Sequence, residues 1–115
     1  MIHILLPALV LVLQSPASSA DVLRETTAAI AAATPADRQT VVVERLKALG
    51  VTHRVEEFTA RVGAGDRAGR NIVATVPAAQ PSKALLLGAH LDRVAPGQGV
   101  VDNGASCAVL LELIS

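Results

Sequence analysis

The chain is almost without aromatic residues: Phe58 stands alone, and there is no Trp and no Tyr. Any core must therefore be aliphatic, and a platform for stacking bases or sugar rings is not expected. The chain also lacks a surplus of charge. Ten basic residues balance ten acidic ones over 115 positions. Such a balance offers no basic face for nucleic acid and no acidic face for a cationic partner. Cysteine occurs once, at Cys107, which excludes an internal disulfide framework. It sits among Ala108, Val109 and Leu110, where a small buried hydrophobe is the plain reading and a reactive thiol without an adjacent base is not.

Charge is missing altogether from the first twenty residues. An apolar run from Ile4 to Leu13 is followed by Gln14-Ser15-Pro16 and the small residues Ala17-Ser18-Ser19-Ala20. The run is too short to span a bilayer but suits the apolar region of a secretory signal. Small residues at Ser18 and Ala20 fit cleavage before Asp21, although His3 stands where Lys or Arg is usual. A buried N-terminal helix is the alternative. The expectation is export, to the outside or the periplasm, with residues 1–20 as the signal. No Cys lies nearby to carry a lipid, so no stable membrane anchor is expected.

From Asp21 to about Ala33 the residues are Ala-rich helix formers, with Leu23, Thr27 and Ile30 at helical spacing. Thr34-Pro35 interrupts them, because proline disfavours helix at the residue before it. Thr34-Pro35-Ala36-Asp37 then supplies a capping residue, a first-turn proline and a first-turn acid. Val42, Leu46 and Leu49 follow on one face, with Arg38, Arg45 and Lys47 assigned to the surface, and Gly50 as the stop. Around Val51 to Val62 the period changes. Phe58, Ala60 and Val62 alternate with Glu57, Thr59 and Arg61, the pattern of a half-exposed strand. Gly63 to Gly69 reads as the connection of a hairpin, and Asn71 to Val76 as its second strand.

The most informative stretch runs from Leu85 to Leu113. The apolar run through Leu85-Leu86-Leu87-Gly88-Ala89 predicts a third strand covered on both faces. It ends on His90 and Asp92, which alternation places on the same side of that strand's carboxyl end. Active sites of open α/β sheets lie at such ends. A loop with Pro96, Gly97 and Gly99 leads to Asp102-Asn103 and a helix from about Ala105. The element order predicts a mixed α/β sheet.

An imidazole and two carboxylates around one crevice suit zinc, which takes His nitrogen and carboxylate oxygen. His90 is the candidate ligand. Asp92 could bind too, or accept the other ring N–H and so set the tautomer. Asp102 could bridge two metals, an arrangement that can hold a hydroxide and polarise a carbonyl for amide hydrolysis. The competing reading of Asp102 is an ordinary helix cap.

GAHLDRV, a glycine-containing loop and GVVDNGASCAVLLEL together resemble the first metal-binding block of the co-catalytic di-zinc aminopeptidases, metallopeptidase family twenty-eight. Asn71-Ile72-Val73-Ala74-Thr75-Val76-Pro77 is similar to the strand preceding that block, and the resemblance covers about Gly50 to Ile114. It implies a mostly parallel mixed sheet flanked by helices in a three-layer sandwich, of which residues 21–115 would be an incomplete N-terminal part. It further implies that His90 binds one zinc, that Asp92 is the catalytic aspartate orienting His90, and that Asp102 bridges two zincs. The peptide after the bridging Asp is often cis in that family. Glu112 matches the motif's helical Glu but lies too far along the helix to bind metal. Val100-Val101 stands where Ala-x is commoner, and Gly104-Ala105-Ser106 shifts the usual small residues. The family's general-base Glu and remaining ligands would lie beyond residue 115, so this piece is expected to be inactive alone.

The activity implied is exopeptidase hydrolysis of peptide substrates. A single-zinc glutaminyl-peptide cyclotransferase shares the look of Ser106 to Leu113, yet usually has a longer insertion between its acids and Ser after the second. A non-catalytic binding domain on the same scaffold is the third reading.

Overall fold

The computed structural model describes residues 18–77 and 84–115. Nearly all of the stretch read as a signal lies outside them. The first helix, α1, spans Ser19–Ala32, two residues earlier than its periodicity indicates. Ser18 explains the difference: its hydroxyl oxygen accepts from the Asp21 backbone N–H at 3.2 Å and donates to the Asp21 carboxylate at 2.6 Å. That hydroxyl, with the Arg24 guanidinium, holds the Asp21 carboxyl below its usual range. No helix among the described residues is long and apolar enough to cross a membrane.

The second helix, α2, spans Arg38–Ala48. The regular helix starts one turn later than the expected cap at Thr34, with Asp37 at its N-cap and Pro35 in the turn before it. The Thr34 hydroxyl oxygen accepts from Asp37 N–H at 3.3 Å and its carbonyl from Arg38 N–H at 3.1 Å. The stop at Gly50 is a paired one. Val51 N–H donates to the Leu46 carbonyl and Gly50 N–H to that of Lys47, each at 3.0 Å, with Gly50 at φ 67°. A side chain at φ > 0 would be strained, so glycine closes this helix.

Strands β1 (His53–Val62) and β2 (Gly65–Ala74) pair antiparallel, with Val62 opposite Gly65. The expected seven-residue connection shrinks to Gly63-Ala64. Gly63 at φ 61° supplies the positive angle that a two-residue hairpin turn needs at its first position, so Gly65 to Gly69 join the ladder. Phe58 lies opposite Gly69, and its ring covers that glycine so closely that a Cβ there would fall 2.4 Å from it. Arg70 donates to Gln39 at 3.2 Å, tying β2 to α2.

The expected third strand does not form. Residues 84–94 carry no regular secondary structure, and Leu85 and Leu86 are 84% and 91% exposed. A strand needs a hydrogen-bonded neighbour and, for this composition, cover on both faces. Neither exists among the described residues, whose sheet has two strands. The described residues form a small mixed α/β arrangement of helices beside an antiparallel hairpin.

An irregular wide turn over Val100–Ala105 leads into α3, Ser106–Leu113. The core sits where α1, α2 and α3 meet: Ile30, Leu46, Ala108, Leu111 and Cys107 are all buried. Arg38 is buried with them at 1% exposure, which corrects its assignment to the surface. It lies four residues before Val42 and eight before Leu46, so it continues the apolar stripe of α2 by one more step.

Candidate metal-binding site

His90 follows the apolar run and Asp92 lies two residues on. The His90 Nδ1 is 3.2 Å from Asp92 Oδ1. The turn over Val100–Ala105 brings Asp102 back to the other side of the ring, where Oδ1 is 2.9 Å from His90 Nε2. The three residues singled out from the sequence therefore meet, with the imidazole clasped between two carboxylates.

Local backbone chemistry makes this possible. Asp102 and Asn103 leave helical geometry, with φ, ψ of −110°, 88° and −135°, 30°, and the peptide joining them is cis. The first turn of α3 has no side-chain cap, so the alternative of Asp102 as an ordinary helix cap is set aside. Gly104 seats the turn: its N–H donates to the Gly99 carbonyl at 3.0 Å. A Cβ there would approach that same oxygen to 2.9 Å and Ile30 to 3.5 Å. Cys107 donates its S–H to the His90 carbonyl at 3.3 Å. Burial pushes the Cys107 thiol up, partly opposed by the nearby Arg38 charge. Buried and bonded to the His90 carbonyl, it packs as part of the core.

The two contacts of His90 differ in what they require. A neutral ring with its proton on Nδ1 donates that proton to Asp92 and leaves a lone pair on Nε2. That lone pair faces an oxygen of Asp102. Two acceptors at this distance repel unless a cation lies between them, either a proton or a metal ion. His nitrogen and carboxylate oxygen are donors that zinc accepts, so the pair fits such an ion chemically. Two donors do not complete a shell. Among the described residues no three His, Cys, Asp or Glu side chains converge on one point, and Glu112 on α3 stays apart, as its spacing indicates.

The site is open: the side chains of His90, Asp92 and Asp102 are 52%, 84% and 79% exposed. Beside Asp92 a cleft of about 690 Å³ runs between the start of α2 and the hairpin, lined by Gln39, Phe58, Arg70 and Leu91 among others. Sequence reasoning missed Arg38. Its guanidinium donates to the carbonyls of Leu91 and Gln98, and lies 3.4 Å from that of Gly99. The helical stripe was the available signal, had it been extended back by four residues.

Residues 71–115 match the sequence model of Peptidase family M28. The match begins inside β2 and takes in the whole of the stretch from Leu85 to Leu113. The chain is also 40% identical over 68 residues to leupeptin-inactivating enzyme 1 of Streptomyces exfoliatus. That alignment takes in 59% of this chain and 15% of the relative's length. No solved structure shows a significant match. His90, Asp92 and Asp102 all fall within the matched residues, whereas α1, α2 and β1 precede them.

Proposed function

We propose that this chain carries the first metal-binding block of an exported zinc exopeptidase of the M28 family, of aminopeptidase type, acting on peptides. The observation that supports it is the clasp itself, a histidine held on both ring nitrogens by the two aspartates of one motif. His90 and Asp102 are the residues that would hold zinc. Asp92 touches no ion in this reading. It accepts the Nδ1 proton, holds the ring in one tautomer and raises its basicity. Zinc, when bound, supplies Lewis-acid polarisation of a carbonyl and eases deprotonation of water. The described residues furnish two donors, and the remaining ligands and the general base come from elsewhere in the protein.

The test is zinc stoichiometry, measured by elemental analysis, on the protein that carries this chain, alongside His90→Ala and Asp92→Asn. Two zincs are expected, falling to one or none in His90→Ala. Asp92→Asn should lose about a hundredfold or more in turnover while most of the zinc remains, as removing a general acid–base or orienting group does. Equal loss of zinc and activity would make Asp92 a ligand. A single zinc in the wild type would favour the cyclotransferase chemistry, and none would leave a binding domain. Export is checked separately by the N-terminal residue of the mature protein, expected to be Asp21.

A further inference from the structure

Arg38 is the most buried charged residue described, and no carboxylate pairs with it among the described residues. A buried cation without a counter-ion is costly, and an aliphatic side chain would extend the stripe of Val42 and Leu46 at no such cost. Stability therefore does not account for an arginine here. Its partners do. The Nη1 donates to the Leu91 carbonyl at 3.1 Å, and Nη2 donates to that of Gln98 with the Gly99 carbonyl at 3.4 Å.

Those carbonyls belong to the two ends of one loop. Leu91 lies between His90 and Asp92, and Gly99 opens the turn that delivers Asp102. A planar guanidinium can hold two chain segments at once through separate nitrogens, whereas an ammonium acts as a point. Gly99 completes the fit: at φ 61°, a Cβ on it would lie 2.9 Å from both terminal nitrogens of Arg38. The glycine leaves room for the fork. Arg38 Nε has no partner among the described residues, so the two terminal nitrogens carry all the hydrogen bonds.

Resting on the zinc reading above, we propose that Arg38 is a positioning residue for the metal pair. From α2, outside the matched M28 segment, it ties the chain beside His90 to the chain before Asp102 and so sets the separation of the two donors. It touches neither metal nor substrate.

The experiment compares Arg38→Met, Arg38→Lys and Leu46→Ala in the protein that carries this chain. Zinc affinity is read by competition with a chelator, and backbone amide exchange of residues 91–99 is read in the zinc-free protein. Leu46→Ala removes core packing two turns along α2 from Arg38 and leaves the Arg38 hydrogen-bonding groups in place. Arg38→Met should weaken zinc by about ten- to a hundredfold, the usual range for groups that orient ligands, and should speed exchange in the loop. Arg38→Lys should lose at least about threefold, since it keeps the charge without the fork. Leu46→Ala should stay within about threefold of wild type, as a core change at a distance adds independently. Wild-type affinity in Arg38→Met overturns the proposal, as does a loss that Leu46→Ala reproduces. If Arg38→Met does not fold, Arg38→Lys decides, and unchanged affinity there overturns it. A wild type that takes up no zinc removes the metal reading and this role together, an outcome distinct from a zinc-binding Arg38→Met.

Discussion

Two regions of this molecule share a composition and differ in everything else. The helical layer buries Ile30 to 0%, Ala108 to 1% and Leu46 to 2% exposure, while Leu85, Leu86 and Leu87 stand 84%, 91% and 54% exposed. All are aliphatic. What separates them is geometry: α1, α2 and α3 present stripes at helical spacing to one another, so each supplies the cover the others need. The leucine run has no such partner among the described residues. Hydrophobicity creates a demand for burial, and only neighbouring elements meet it. His90, Asp92 and Asp102 sit on the seam between the two regions. His90 and Asp92 end the uncovered run, and Asp102 precedes the helix that the covered layer holds.

This contrast can be broken by measurement. Ile30→Ala should give the largest effect, a loss of about 2–5 kcal/mol in denaturant unfolding, because a fully buried aliphatic leaves a cavity. A loss below about 1 kcal/mol would mean the helical layer is loose. The second contrast is between thiols. Cys107 should alkylate at least about tenfold more slowly at pH 8 than a cysteine introduced by Leu86→Cys, since burial disfavours the thiolate and blocks access. Because its folded pKa lies above the ordinary 9.0, the folded state keeps its proton longer than the unfolded one. That contribution to stability is present below pH 9 and is lost as pH rises through the raised value. Equal rates for the two thiols would show that the layer opens readily. The smallest effect belongs to Leu86→Ser, expected to change stability by less than about 0.5 kcal/mol in the 115-residue chain, as for an exposed surface position. A loss of about 2 kcal/mol or more would show that the run is covered in solution.

Local rules carried the sequence reading a long way. Whereas the strand expected to carry His90 and Asp92 does not form, Gly50 placed the end of α2 and alternation placed the hairpin. These succeed because caps, turns and periodicity act over a few residues. The failures have one origin. Burial of Arg38, exposure of Leu85 to Leu87 and the shortening of the hairpin loop all depend on what packs against a segment, and a linear pattern does not contain that.

By itself the sequence determined that two helices precede a hairpin, where the second helix stops, and which residues, His90, Asp92 and Asp102, carry donors for a metal. Each follows from backbone preference or from donor chemistry held in a short motif. Only the tertiary structure decided that Asp102 closes on His90 Nε2 and that a buried arginine from α2 ties the intervening loop. Closure across a loop is a non-local event, set by which carbonyls the fold brings within reach of one guanidinium.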